Sequence, residues 1–297
     1  MSRTLLLLLL IAGMLPATSA RADEDDGELR WPTETEVKIN VEFVSGSIDF
    51  EGWDLDEVRV RASRRTREAL DVEASPDAIS IGIPAARFGW LRNSGEARLR
   101  IDVPRGSRIR AKLTNGPLRV EGVNGTLRLQ TANGEIDVRG APREAHLETV
   151  ASDIDFEGTD SRVDARSISG SIELKGVGQE VIASTTSGSI DVEGGTLERI
   201  DLRTLSGSIE LAAALAEDAR VALKTFSGSI DVELPVDTSA AFELQSFSGE
   251  LRAELGNGRT TSQSGGPGRH LTFDTGEGSA RVSIETFSGS VRLEVSD

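Results

Sequence analysis

The chain has no cysteine and no tyrosine, and only two histidines and two methionines in 297 residues. Without cysteine there can be no disulfide, no thiolate metal site and no lipid-modified cysteine at a cleavage point. Three tryptophans, Trp31, Trp53 and Trp90, supply too few aromatic platforms for a deep carbohydrate cleft. Cations are also short, with 33 Lys and Arg against 49 Asp and Glu. That balance excludes nucleic acid and anionic membrane as natural partners, because both demand a basic face.

Long apolar runs are missing too, apart from Leu5–Ile11 behind Arg3. This run is too short to cross a bilayer, so no transmembrane segment is expected. Pro16 ends it, and Ala20-Arg21-Ala22 fits the small-x-small cleavage rule. Residues 1–22 therefore read as a signal peptide, followed by an acidic flexible N-terminus over 23–30. The expected destination is the periplasm or the cell surface. Cleavage removes Arg3 and Arg21 but none of the 49 acids, leaving a mature formal charge of −18.

What the chain has in abundance is repetition. Ser-Gly-Ser-Ile-acid-aliphatic occurs at Ser169–Leu174, Ser187–Val192, Ser206–Leu211 and Ser227–Val232, with looser copies from Asn115 to Leu293. The central aliphatics Ile136, Ile154, Ile172 and Ile190 are 18 residues apart, and Ile209, Ile230 and Leu251 follow at 19, 21 and 21. Nine and seven residues before each stand two more apolar positions, such as Val181 and Ala183. A spacing of two is the strand period, and the Ser-Gly or Asn-Gly between the halves marks a turn. Each repeat is thus two short strands, and no such repeat buries its apolar face alone.

The expected fold is all-β, a right-handed parallel β-helix or β-solenoid. Residues 111–297 form rungs of about 18–21 residues. An irregular β lobe over residues 31–110 caps them, and the two parts make one continuous domain. Hydroxyls at Thr131, Thr149, Ser167, Thr185, Thr204, Thr225, Ser246 and Thr286 form a column expected to hydrogen-bond along the axis. Phe226, Phe247 and Phe287, one residue later, are expected to stack in the core.

Four features stand outside simple stacking. Asp137, Asp155, Glu173, Asp191, Glu210 and Asp231 follow the central aliphatics, bracketed by Arg128 and Arg252. In register, neighbouring carboxylates lie about 5 Å apart on the outer face and repel by about 1 kcal/mol per pair in water. They form either a solvated stripe or a cation-bridged ladder, for which calcium is the fitting ion. The loop Pro84–Gly95 carries Phe88, Trp90 and Leu91, an apolar tip suited to a partner. Gly256–Gly268 replaces part of a rung. Finally, the chain stops inside a rung, which leaves strand groups open for end-to-end self-association.

Catalytic signals are missing: no Gly-x-Ser-x-Gly, phosphate loop or zinc spacing occurs, and the serines recur as turn residues. Three segments carry a likeness to known proteins. They are Gly52-Trp53-Asp54-Leu55-Asp56-Glu57-Val58-Arg59-Val60, Ile101-Asp102-Val103-Pro104-Arg105-Gly106-Ser107, and the serial Asn-Gly or Ser-Gly rungs. Together they resemble a bacterial family of β-strand-repeat proteins of unknown function labelled as candidate adhesins. The resemblance spans roughly Trp31 to Val295 and implies export, a parallel β-helix-like fold and no catalytic residues. The functional expectation is an exported, non-catalytic surface for adhesion or envelope interaction, its ligand in the cell envelope or on a surface unidentified. A periplasmic scaffold or sensor in envelope maintenance is the alternative, and a polysaccharide-active β-helix enzyme the third.

Overall fold

Alternating apolar and polar residues favour extended strands, and the structure is built of little else. The computed structural model describes residues 28–84, 97–254, 261–263 and 268–296. They form 23 strands and one helix of six residues. Each full rung has a leading strand, a Gly-containing corner and a trailing strand. Leading strands stack into one face and trailing strands into another, and the inward residues of both make a single core.

Rung pairing begins well before residue 111. β1 (Glu28–Pro32) lies antiparallel to β3 (Glu57–Ala62) at the edge of the trailing face. β2 (Lys38–Trp53) is already a whole rung, turning at Gly46. Its halves pair in parallel with β5 (Ala78–Gly82) and β6 (Ala97–Pro104), as in Ile39 opposite Ile79 and Ile48 opposite Leu99. Within the irregular lobe, β4 (Asp71–Ala74) forms an antiparallel hairpin with β5. Helix α1 (Arg64–Ala69), started by Ser63 accepting from the Thr66 amide, links β3 to β4.

β7 (Arg108–Asn115) and β8 (Leu118–Glu121) stack on β2, and from them the register is eighteen residues as far as Ile190 and lengthens to 19 and 21 beyond. β9 (Thr126–Asn133), β11 (Glu144–Glu148) and β13 (Arg162–Arg166) extend the leading face. β10 (Ile136–Gly140) and β12 (Ile154–Gly158) extend the trailing face, Ile136 standing opposite Ile154. β14 (Ile172–Ser187), β15 (Ile190–Ser206) and β16 (Ile209–Ser227) each contribute to both faces, and β17 (Ile230–Pro235) continues the trailing one.

The corners explain why glycine recurs. Gly207 has φ +153°, and a Cβ on it would sit 2.0 Å from the Gly188 carbonyl oxygen. No other residue fits there without moving the adjacent rung. The hydroxyl column is buried, but its bonds differ from the expectation. Thr185 donates to the Gly170 carbonyl at 3.0 Å, Thr204 to Gly188 at 3.1 Å and Thr225 to Gly207 at 3.2 Å. Each hydroxyl ties its strand to the neighbouring rung's corner instead of to the next hydroxyl.

The last rungs correct the expected order. β18 (Ala240–Ser248) and β19 (Leu251–Ala253) do not stack on β16 and β17. β22 (Ala280–Ser288) and β23 (Val291–Ser296) lie between them. Ile230 faces Val291, which in turn faces Leu251. Val291–Leu293 of β23 are therefore paired on both sides, and among the described residues the trailing face ends at β19 instead of at the last strand of the chain. β21 (Arg269–Asp274) doubles back antiparallel on β18, with Leu271 opposite Leu244, and β20 (Thr261–Gln263) follows it. The stacked pair Phe242 and Phe273, centroids 4.7 Å apart, fills that end of the core.

Candidate interaction face

In a strand, residues one apart point to opposite sides. The residue after each member of the hydroxyl column, which Leu113 and Phe43 continue toward the N-terminus, therefore faces outward. Following the register, these positions run Val44, Thr114, Ala132, Val150, Ile168, Thr186, Leu205, Phe226, Phe287 and Phe247. Nine large apolar residues are exposed among the described residues, and only Leu55 and Val236 lie off this line. The result is an apolar ridge about 43 Å long at ~4.8 Å per rung, bordering the leading face.

Phe226, Phe287 and Phe247 were expected in the core, and the structure places them at the surface, 53%, 45% and 51% exposed. They do stack: Phe226 and Phe287 lie 4.8 Å apart within 1° of parallel, and Phe287 and Phe247 lie 4.7 Å apart within 5°. Each pair contributes about 0.5–1.5 kcal/mol beyond area burial. Because the rings cover one another's faces, the surface they offer is ring edge. The strand parity was the signal that could have placed them, since Leu223 and Thr225 are inward and Phe226 is not.

Beside the ridge, two residues earlier in each leading strand, runs a polar row. Lys224 binds Glu285 across rungs at 2.8 Å, and Arg203 binds Asp201 at 2.7 Å. Further along, His146 lies 2.7 Å from Glu148 and 3.2 Å from Asp164, and Gln130 donates to Glu148 at 2.6 Å. Burial pushes the Glu148 carboxyl upward, but His146, Gln130 and Arg166 outweigh it and hold the group below its ordinary value. Shallow depressions of about 860 and 390 Å³ follow this row, the larger lined by the three phenylalanines with Arg203, Lys224 and Arg269.

On the trailing face, Asp137, Asp155, Glu173, Asp191, Glu210 and Asp231 stand opposite one another in sequence. The brackets differ from those expected. Arg119 precedes Asp137 and Arg292 follows Asp231, whereas Arg128 lies on the leading face opposite His146. Cations reach some of the acids: Arg139 lies 3.5 Å from Asp137, Arg292 3.6 Å from Asp231, and Lys175 pairs with Glu173. Asp155 has no such neighbour among the described residues. Burial, the hydrogen bond shared with Glu135 and the charges of Glu135, Glu173 and Asp137 push its carboxyl up to about 6. Asp191 is raised also, by burial and by Glu173. No three His, Asp or Glu side chains converge on a possible metal position among the described residues.

One charge cluster had no forewarning. Asp102, 1% exposed, takes Arg59 at 2.5 Å and Arg61 at 2.7 Å, while Arg59 lies 4.5 Å over the Trp53 ring. Trp53 in turn donates its indole N–H to the Glu57 carbonyl at 2.9 Å. The cluster fastens β3 to β6 and leaves no carboxylate oxygen of Asp102 unpartnered. It is a structural clamp. The expected signal peptide, the acidic run at 23–26 and the tip Phe88, Trp90 and Leu91 lie outside the described residues, as does most of Gly256–Gly268. No helix among the described residues is long and apolar enough to cross a membrane.

A search of curated proteins finds no match. Among solved structures, the chain is similar to a candidate cell adhesion protein of Clostridium sporogenes ATCC 15579. Identity there is 13% with TM-score 0.27, covering 91% of this chain and 99% of that one. It is also similar to a candidate adhesin of Bacteroides fragilis NCTC 9343, at 12% identity and TM-score 0.32 over 91% and 96%. A candidate lipid-binding protein of Parabacteroides distasonis ATCC 8503 matches at 9% and 0.36 over the same shares. The model of the Toastrack DUF4097 family matches residues 38–294, nearly the whole described chain, and the protein belongs to that family.

Proposed function

We propose that this chain is an exported, non-catalytic β-solenoid whose leading face is its working surface in adhesion or envelope interaction. One observation carries the reading, the largely apolar ridge from Val44 to Phe247, interrupted at Thr114 and Thr186, on an otherwise charged exterior. A chain with 49 acidic and 33 basic residues has ample polar residues to cover that line. Seven of the nine large apolar residues exposed among the described residues fall on this one line, and contiguous exposed apolar surface is a mark of interaction sites. The strong negative charge further suits a role away from anionic polymers and bilayers.

Protease shaving of intact cells tests this. Cleavage without permeabilisation supports a surface protein, and protection until the envelope is opened supports the periplasmic scaffold instead. Recovery of the chain in the cytosol with residues 1–22 still attached would refute both.

A further inference from the structure

We infer that the ridge is a self-association surface on which two copies pack face to face with their solenoid axes antiparallel. This deepens the proposal above by naming the occupant of the same face as a second copy of the chain.

The argument starts from the taper of the ridge. Its first half, Val44, Thr114, Ala132, Val150 and Ile168, carries no aromatic residue, and its second half ends in three phenylalanines. A two-fold axis crossing the ridge between Ile168 and Thr186 sets the two halves against each other. Thr114 then meets Phe287, Ala132 meets Phe226, and Val150 meets Leu205. Each small residue faces a large one, so the summed height stays level along the contact. The parallel arrangement sets phenylalanine on phenylalanine and alanine on alanine, and opens a wedge.

Charge gives the same answer independently. In the antiparallel register the polar row of one copy lies along the polar row of the other. Lys112 then stands against Glu285, and Glu148 against Arg203, with no like charges opposed in that row. The face is also built symmetrically about the axis, since β4 and β5 extend it beyond the first ridge position and β21 and β20 beyond the last. A contact about 43 Å long and three residue rows wide covers roughly 700 Å² per copy, close to the ~800 Å² of a standard stable interface. Identical rung spacings in both copies let the side chains interdigitate along the whole length.

The absence of cysteine makes the test clean. Thr114→Cys and Phe287→Cys are prepared separately, then exposed to mild oxidant alone and as a mixture. Antiparallel packing forms a disulfide only in the mixture, because two copies of either variant hold their thiols about 34 Å apart, seven rungs at ~4.8 Å. Cross-linking of each variant with itself would overturn the antiparallel register. Sedimentation equilibrium of the unmodified chain is expected to show a dimer, weakened at least about tenfold by Phe226→Glu, which at this exposed site leaves the fold intact and removes only the one ring stack with Phe287. A monomer at every concentration, with no cross-link in the mixture, would overturn the inference. If such a monomer is still shaved from intact cells, the surface reading survives and only its occupant is wrong.

Discussion

Replacing Asp155 by asparagine should stabilise the protein, and only where the acid is ionised. The native fold holds this carboxyl near 6 against an ordinary 3.8, a cost set by burial and by Glu135, Glu173 and Asp137. A raised acid means that the native state binds its proton more tightly than the unfolded chain. Its favourable contribution is whole below about pH 4 and is lost as pH rises through about 6. The full difference of about 2 pH units corresponds to ~3 kcal/mol, and solvent screening at this half-buried position reduces it to about 1–1.5 kcal/mol. Asparagine keeps the shape and cannot ionise. The variant should melt about 2–5 °C above the parent near pH 7.5 and at the same temperature near pH 4. Circular dichroism melts of both proteins at the two pH values measure this. A variant less stable near pH 7.5, or a gain that persists near pH 4, would refute the view that Asp155 carries an uncompensated charge.

Three other outcomes follow from the fold. Gly207→Ala places a Cβ within 2.0 Å of the Gly188 carbonyl and should cost about 3 kcal/mol or more, read by urea denaturation. Asp102→Ala leaves Arg59 and Arg61 without their buried counter-charge and should cost about 3–5 kcal/mol, with rim pairs such as Arg64–Glu68 contributing under about 1 kcal/mol as the control. Calcium at matched ionic strength should leave the melting midpoint where chelator leaves it, because the stripe acids are spaced by strands and do not converge. A rise specific to calcium would restore the cation ladder on Asp137 to Asp231.

Stacking repeats announce themselves because every rung must solve the same packing problem. Ile136, Ile154, Ile172, Ile190, Ile209 and Ile230 therefore stood in register both in the sequence and in the structure. The same regularity hid the order of the last rungs. Leu251 and Val291 satisfy the repeat equally well, and only the pairing of β17 with β23 in the structure shows that Val291 is the neighbour of Ile230. Aromatic residues are usually buried, and that tendency outweighed the strand parity that turns Phe226, Phe247 and Phe287 outward. Asp102 escaped notice because an acid in a strand normally faces solvent. Its burial depends on Arg59 and Arg61, some forty residues away in the chain.

The placement of β22 and β23 between β16–β17 and β18–β19 bears on how the chain completes its fold as it is synthesised. Most solenoids can add each rung to the last as it emerges, with no vacancy behind the growing end. Here residues 240–253 are delivered before the rung that separates them from residues 209–235 has been made. They must either wait undocked or dock against the wrong neighbour and be displaced. Early docking on β16–β17 would add an insertion step, in which β22–β23 slides between two segments; waiting makes residues 240–253 dock last, on a surface that later residues supply.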